Sequence, residues 1–214
     1  MELAAVVTRK AVSPVAGVNR RSFADYARGI RAAIYGLWSG QIDLFNFVDS
    51  MIASLEIGVR RAWYEGAAQC EIKPEELTLD ELDAMRFLVN SNVNYVMRLA
   101  TDIQAADKSK KGKLRPFIQR GQLWINLYNQ ASNQARQMAC GDKKMKWVIG
   151  STIKVHCSTC LKLSNRVYRA SIWKKYDIRP QDTRPGKLDC KGFKCGCSFQ
   201  PTDEPATPGF PPRS

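Results

Sequence analysis

The sequence predicts a mainly α protein: an antiparallel helical bundle carrying a small C-terminal α/β zinc-binding module. Three observations predict it. Apolar residues recur at helical spacing in four successive stretches between Ser22 and Cys140. After Gly141 that period is lost, and lysine and cysteine accumulate. Five of the seven cysteines then fall between Cys157 and Cys197, in clusters at two ends of that interval. The resulting organisation is an extended N-terminal arm over 1–21, a helical region over 22–140, a Cys-rich zinc-binding module over 141–199 and a Pro-rich flexible tail over 200–214.

Each helix has its own stripe. Phe23, Tyr26, Ile30, Ala33 and Leu37 share one face of the first, with Ser22 and Asp25 as its capping box and Ser39-Gly40 as its end. Phe45, Val48, Ile52, Leu55, Val59 and Ala62, with Trp63 beside them, form the second stripe, in which Gly58 lowers helix propensity. A turn at Lys73-Pro74 leads to the third helix. Thr78 and Glu81 cap it, and Leu82, Met85, Val89, Val93, Val96, Leu99 and Ile103 repeat at three and four. The polar run from Lys108 to Lys113 is a solvated connector. The fourth helix opens near Pro116 and carries Phe117, Gly121, Trp124, Tyr128, Ala131, Ala135 and Met138. Such stripes are core-forming faces, so four of them with short connections imply a bundle. Cys70 and Cys140, at helix ends, read as buried thiols or inert singletons.

Beyond Gly141, Trp147-Val148-Ile149 and Ile153-Lys154-Val155 read as short strands and Ser171 to Tyr176 as one or two helical turns. Trp147, Leu161, Leu163, Val167, Trp173, Ile178, Leu188 and Phe193 supply the module's apolar filling. Pro201, Pro205, Pro208, Pro211 and Pro212 mark the tail.

The formal net charge of +13 is concentrated: over 141–199, fourteen Lys and Arg stand against four Asp, a net +10. A polyanion or acidic-surface contact and simple solubilisation of a small module both account for this. Lys143, Lys144, Lys146, Lys174, Lys175, Lys191 and Lys194 are the residues such a contact would use. No apolar run approaches the ~20 residues that span a bilayer. Arg9 and Lys10 interrupt the N-terminal apolar stretch, so the expected location is the compartment of synthesis. A reducing cytosol does not favour disulfides, and the cysteines need another explanation.

Cys157-x2-Cys160 lets two thiolates approach one ion from a tight loop. Cys190, Cys195 and Cys197 arrive from about thirty residues away to complete a tetrahedron. Thiolates are soft ligands that suit Zn2+ in a structural role. Cys157, Cys160, Cys190 and Cys195 form the preferred set. Cys197 is the chief rival for the fourth place, and His156, adjacent to a ligand, ranks lower. Gly192 and Gly196 suit a chain that folds back sharply near a metal. Two disulfides, or reduced thiols in a small core, are the competing account.

The order Trp147, His156-Cys-x2-Cys160, Leu163, Val167, Trp173, Ile178-x-Pro180, Leu188-x-Cys190-x-Gly192-x2-Cys195-x-Cys197 resembles the C-terminal part of tailed-bacteriophage minor head proteins, the head morphogenesis proteins of the Mu type. The resemblance covers about Trp147 to Phe199. It implies a virion structural protein in few copies, made in the host cytoplasm and placed at the portal vertex. The implied role is head assembly or DNA packaging, with portal and capsid proteins, and packaged DNA, as partners. Family members often end in His-Pro-x-Cys-x-Cys, whereas here Cys190 stands upstream in place of that histidine.

Two other readings compete. One is a zinc-ribbon nucleic-acid-binding regulator, whose affinity would fall steeply with salt. The other is a zinc-stabilised nuclease, which needs a general base and a hydrolytic metal site. The chain has one histidine, His156, and it abuts a metal-ligand candidate. With no Walker loop, Gly-x-Ser-x-Gly or His-Glu-x-x-His either, the expectation is a non-enzymatic protein.

Overall fold

A computed structural model describes residues 19–106, 113–150, 155–192 and 195–212. It is mainly helical, with a small three-stranded antiparallel sheet near the C-terminus. Most of the N-terminal arm, the Lys108–Gly112 part of the connector, Ile153, Lys154, Phe193 and Lys194 lie outside the described residues.

Helix α1 spans Arg20–Ser39, α2 Leu44–Ala68, α3 Leu79–Ala105 and α4 Leu114–Ala139, with a 3-10 turn at Pro74–Glu76 between α2 and α3. The start of α1 differs from the sequence expectation. Asn19, not Ser22, is the N-cap, its side-chain oxygen accepting from the backbone of Arg21 and Ser22. Asparagine caps as well as serine and lies one turn earlier, so the helix gains that turn. Gly40, at φ 76°, closes the helix in the left-handed conformation. The Thr78–Glu81 box on α3 is present in both directions.

Contacts between helices give their directions. Asn19, opening α1, donates its N–H to Glu65 near the end of α2, and Arg120, early in α4, pairs with Asp102, late in α3. Both pairs therefore run antiparallel. Phe23 and Tyr26 of α1 meet Tyr128 of α4, while Ile34 lies over Gly121. The result is an up-and-down bundle around one apolar core that includes Ile30, Phe47, Leu55, Trp63, Leu99 and Tyr128.

The stripe expected on α2 is kept by Leu55, Val59, Ala62 and Trp63, all fully buried, but its first turns are rotated. Phe45 is exposed at 79%, and Phe47 and Met51 are fully buried instead. Both phases carry apolar residues. The one chosen is set by glycines, which let neighbours come close. The Tyr26 ring rests where a Gly58 side chain would be, and the Ser132 carbonyl of α4 packs on Gly66.

The ends of α2 and α4 coincide, and there Cys70 and Cys140 form a disulfide with Cα atoms 5.3 Å apart. This corrects their reading as unpaired thiols. Parallel helices that end together bring them within bridging range, a relation between distant segments that single-residue spacing does not reveal.

Past the disulfide come β1 (Lys144–Val148), α5 (Ser158–Leu163), β2 (Val167–Arg169), α6 (Ala170–Lys175) and β3 (Ser198–Pro201). The sheet order is β2-β1-β3, with Met145 opposite Tyr168 and Trp147 opposite Phe199. Val155 stands at 84% exposure and in no strand. Met145 and Trp147 alternate inward and join Leu163, Tyr168, Trp173, Ile178, Leu188 and Phe199 in a second core. Leu161, expected in that filling, is 54% exposed, on the outer side of the short α5.

The segment read as a free tail is placed against this sheet as far as Pro212. Thr202 donates its N–H to the Lys144 carbonyl, Thr207 exchanges hydrogen bonds with Val167, and the Phe210 ring stacks on Tyr176. Prolines cannot supply a core, but the residues between them bond the sheet's backbone along its edge.

The close approach at Gly58 yields a test. Gly58→Ala must push the Tyr26 ring aside in a packed core, so it should destabilise the bundle by about 1–3 kcal/mol despite its higher helix propensity. An unchanged or raised urea midpoint would contradict this packing.

Candidate metal centre

Helix α5 begins at the first cysteine pair. Cys157 is its N-cap, with Sγ accepting from the Cys160 backbone N–H at 3.4 Å. This fold-back of the C-x2-C turn points both sulfurs the same way. The second cluster is tied to the first by Asp189, next to Cys190. One carboxylate oxygen of Asp189 accepts from the Ser158 hydroxyl and, at 3.1 Å, from the Thr159 N–H. The Asp189 N–H returns a bond to Thr159 Oγ1. Then the chain reverses at Lys191 and Gly192, both at positive φ, where a side chain on Gly192 would strike the Gln181 carbonyl. Gly150 and Gly196 meet backbone to backbone beside them.

All five sequence-selected cysteines are thereby gathered. Cys157, Cys160 and Cys190 form one group, and Cys160, Cys195 and Cys197 another, with the sulfurs of each group within 4.8 Å of one another. Cys160 belongs to both. Such clusters could hold a metal ion. His156 joins neither group, because its neighbour Cys157 already takes the helix-capping position that faces the cluster.

Donor chemistry tests the fit. A tetrahedral ion with metal–sulfur bonds of ~2.3 Å spaces its sulfurs by about 3.8 Å; Cys160 and Cys195 Sγ lie 3.9 Å apart. The sulfurs also compete for protons. Hydrogen bonds from Cys160 and Cys195 hold the Cys197 thiol down to about 4 against the opposing effect of burial, with the Gly150 N–H and Trp147 indole adding to the pull. Cys160, whose single proton is held among the sulfurs of Cys190, Cys195 and Cys197, is pushed up. Trp147 is fully buried and its indole lies beside the Cys197 sulfur. N–H donors aimed at a sulfur favour the thiolate form, the form that binds metal. The residues present fit a thiophilic ion. Among the described residues, no carboxylate or histidine shares either group, a donor set that matches a closed structural site rather than an open catalytic one.

The basic residues divide. Lys143 bonds the Cys70 carbonyl and Glu71, Lys144 the carbonyls of Asp203 and Glu204, and Lys146 the Glu204 carboxylate. These three have partners within the chain, Lys143 at the end of α2, and Lys144 and Lys146 in the C-terminal segment that brings Glu204 over the sheet. Lys174, Lys175 and Lys191 are exposed. Lys194 lies outside the described residues.

The support for this site comes from α4, in residues the apolar stripe passes over. Asn126, Asn129, Gln130, Asn133, Gln134 and Gln137 are all buried, so the helix is enclosed on its polar side as well. Asn133 accepts from the Phe199 N–H at 2.9 Å and donates to Gln181 and to the Cys197 carbonyl. Gln137 donates to the Ile178 carbonyl, and Gln181 donates to the Cys195 carbonyl. Asp182, fully buried, is held by Arg184 and Arg179. The signal was present: from Asn126 to Gln137 the polar face is almost all amide, with Arg136 alone charged. A solvated helix face carries lysine and glutamate, whereas amides can satisfy buried backbone without a charge to desolvate.

No family model matches the chain, and neither a curated protein nor a solved structure matches it.

Asn133→Ala would leave the Phe199 N–H and the Cys197 carbonyl buried with one partner fewer. We expect a loss of about 3 kcal/mol in urea unfolding, within the range for unsatisfied buried polar groups. A change under 0.5 kcal/mol would mean that this seam does not hold the cysteine strand.

Proposed function

We propose that the protein is a non-enzymatic structural component of a tailed-bacteriophage head: a minor head protein at the portal vertex, acting in head assembly or DNA packaging. Its C-terminal module is a rigid basic knob organised by a structural Zn2+, and the helical bundle presents it. The observation that carries this reading is the gathering of Cys157, Cys160, Cys190, Cys195 and Cys197 into two sulfur groups that share Cys160. The other residues of the phage-like pattern, Trp147, Leu163, Trp173, Ile178 and Leu188, form the core beside it. The pattern on which the resemblance rests is therefore the framework of one folded unit. Zinc is the assigned ion because an all-thiolate donor set suits it and the role requires no redox chemistry.

The regulator reading needs a broad polyanion surface, and the engagement of Lys144 and Lys146 by Asp203 and Glu204 reduces the one available. Among the described residues, no helix is long and apolar enough to cross a membrane.

Two measurements test the proposal. Peptide mass spectrometry of purified particles should find the chain at low copy beside the portal and major capsid proteins, and its absence would overturn the phage assignment. Chelation should release one zinc per chain and abolish near-ultraviolet signals from Trp147 and Trp173 while far-ultraviolet helix signal persists. A metal-free preparation with unchanged spectra would overturn the zinc assignment.

A further inference from the structure

Five sulfurs, in two groups that share Cys160, stand where a tetrahedral ion needs four, and they are not equivalent. Cys160, Cys195 and Cys197 are 2%, 5% and 1% exposed, whereas Cys157 and Cys190 are half-buried. The buried three are also the more firmly built in. Cys197 leads into β3, and its carbonyl is bonded by Asn133. The Cys195 carbonyl accepts from Gln181, and Cys160 sits inside α5. The outer two lie within 4.8 Å of each other and both lie within that distance of Cys160. They meet the buried pair Cys195 and Cys197 through Cys160, the sulfur common to both groups. Asp189 keeps them there, bonded to the turn that follows Cys157 and adjacent in sequence to Cys190.

Resting on the metal reading above, we propose that the ion has three fixed thiolate ligands, Cys160, Cys195 and Cys197. Cys157 and Cys190 exchange at the fourth position, leaving one solvent-facing thiol beside the metal at any moment. In each exchange one metal–sulfur bond forms as the other breaks, and a proton passes from the incoming thiol to the outgoing thiolate. The module thus carries a built-in spare ligand. Loss of either outer sulfur to alkylation or oxidation leaves the ion in place.

Native mass spectrometry of the full zinc-loaded chain and its Cys→Ser variants tests this. C157S and C190S should each keep one zinc, while C157S/C190S, C160S, C195S and C197S should lose it. Iodoacetamide applied to the native wild type should add one label per chain, divided between Cys157 and Cys190 on peptide mapping, with zinc retained. Loss of zinc from C157S or C190S alone, retention in C197S, two ions per chain, or labelling confined to one outer cysteine would overturn the exchange. A wild-type chain without zinc would instead defeat the metal reading itself. The outer single variants keep the test decisive even where an inner variant fails to fold its module, because they leave the buried sulfurs intact.

Discussion

The C-terminal third is organised around the meeting of sulfurs from two segments, 157–160 and 190–197. Everything near them is arranged to bring those segments together: the N-capping of α5 by Cys157, the Asp189 latch, the left-handed reversal at Gly192 and the contact of Gly150 with Gly196. The sheet is short, three strands of three to five residues, and its core is built on Trp147, Trp173 and Phe199, whose rings lie 5.2–5.8 Å apart. A unit this small has little apolar area to offset its conformational entropy. An ion shared between its two ends would close the long loop between them and supply on the order of 10 kcal/mol of apparent binding free energy.

The bundle and the module are joined in two chemically different ways. The Cys70–Cys140 disulfide fixes the point where the chain leaves α4, and both cysteines are buried in the module's core rather than the bundle's. Along α4, amide side chains replace a dry interface with directed hydrogen bonds to the backbone of Ile178, Cys197 and Phe199. Directed bonds set an orientation that apolar contact alone would leave loose. A knob presented to a partner would benefit from that definition, which links the seam to the proposed assembly role.

Much of this was legible in the residues. The four helical periods, the Thr78–Glu81 cap and the inward positions Trp147, Leu163, Trp173, Ile178 and Leu188 follow from local pattern, because periodicity and capping act over a few residues. The grouping of the five cysteines follows from their spacing. What escaped depends on relations between distant segments. Phe45 and Phe47 offer α2 two apolar phases, and the close approaches at Gly58 and Gly66 decide between them. Cys70 and Cys140 pair because two helices end together. The proline-rich end, which looks like a free tail, finds its bonding partners on Lys144 and Val167. His156 ranked low on sequence grounds and joins neither sulfur group, whereas Cys197, ranked as a rival, is among the most buried of the five.

X-ray absorption at the zinc edge on the purified full chain addresses the central claim most directly. The account predicts a first shell of four sulfurs at ~2.3 Å with no nitrogen or oxygen neighbour. A shell containing imidazole or water, or no zinc edge at all, would contradict it.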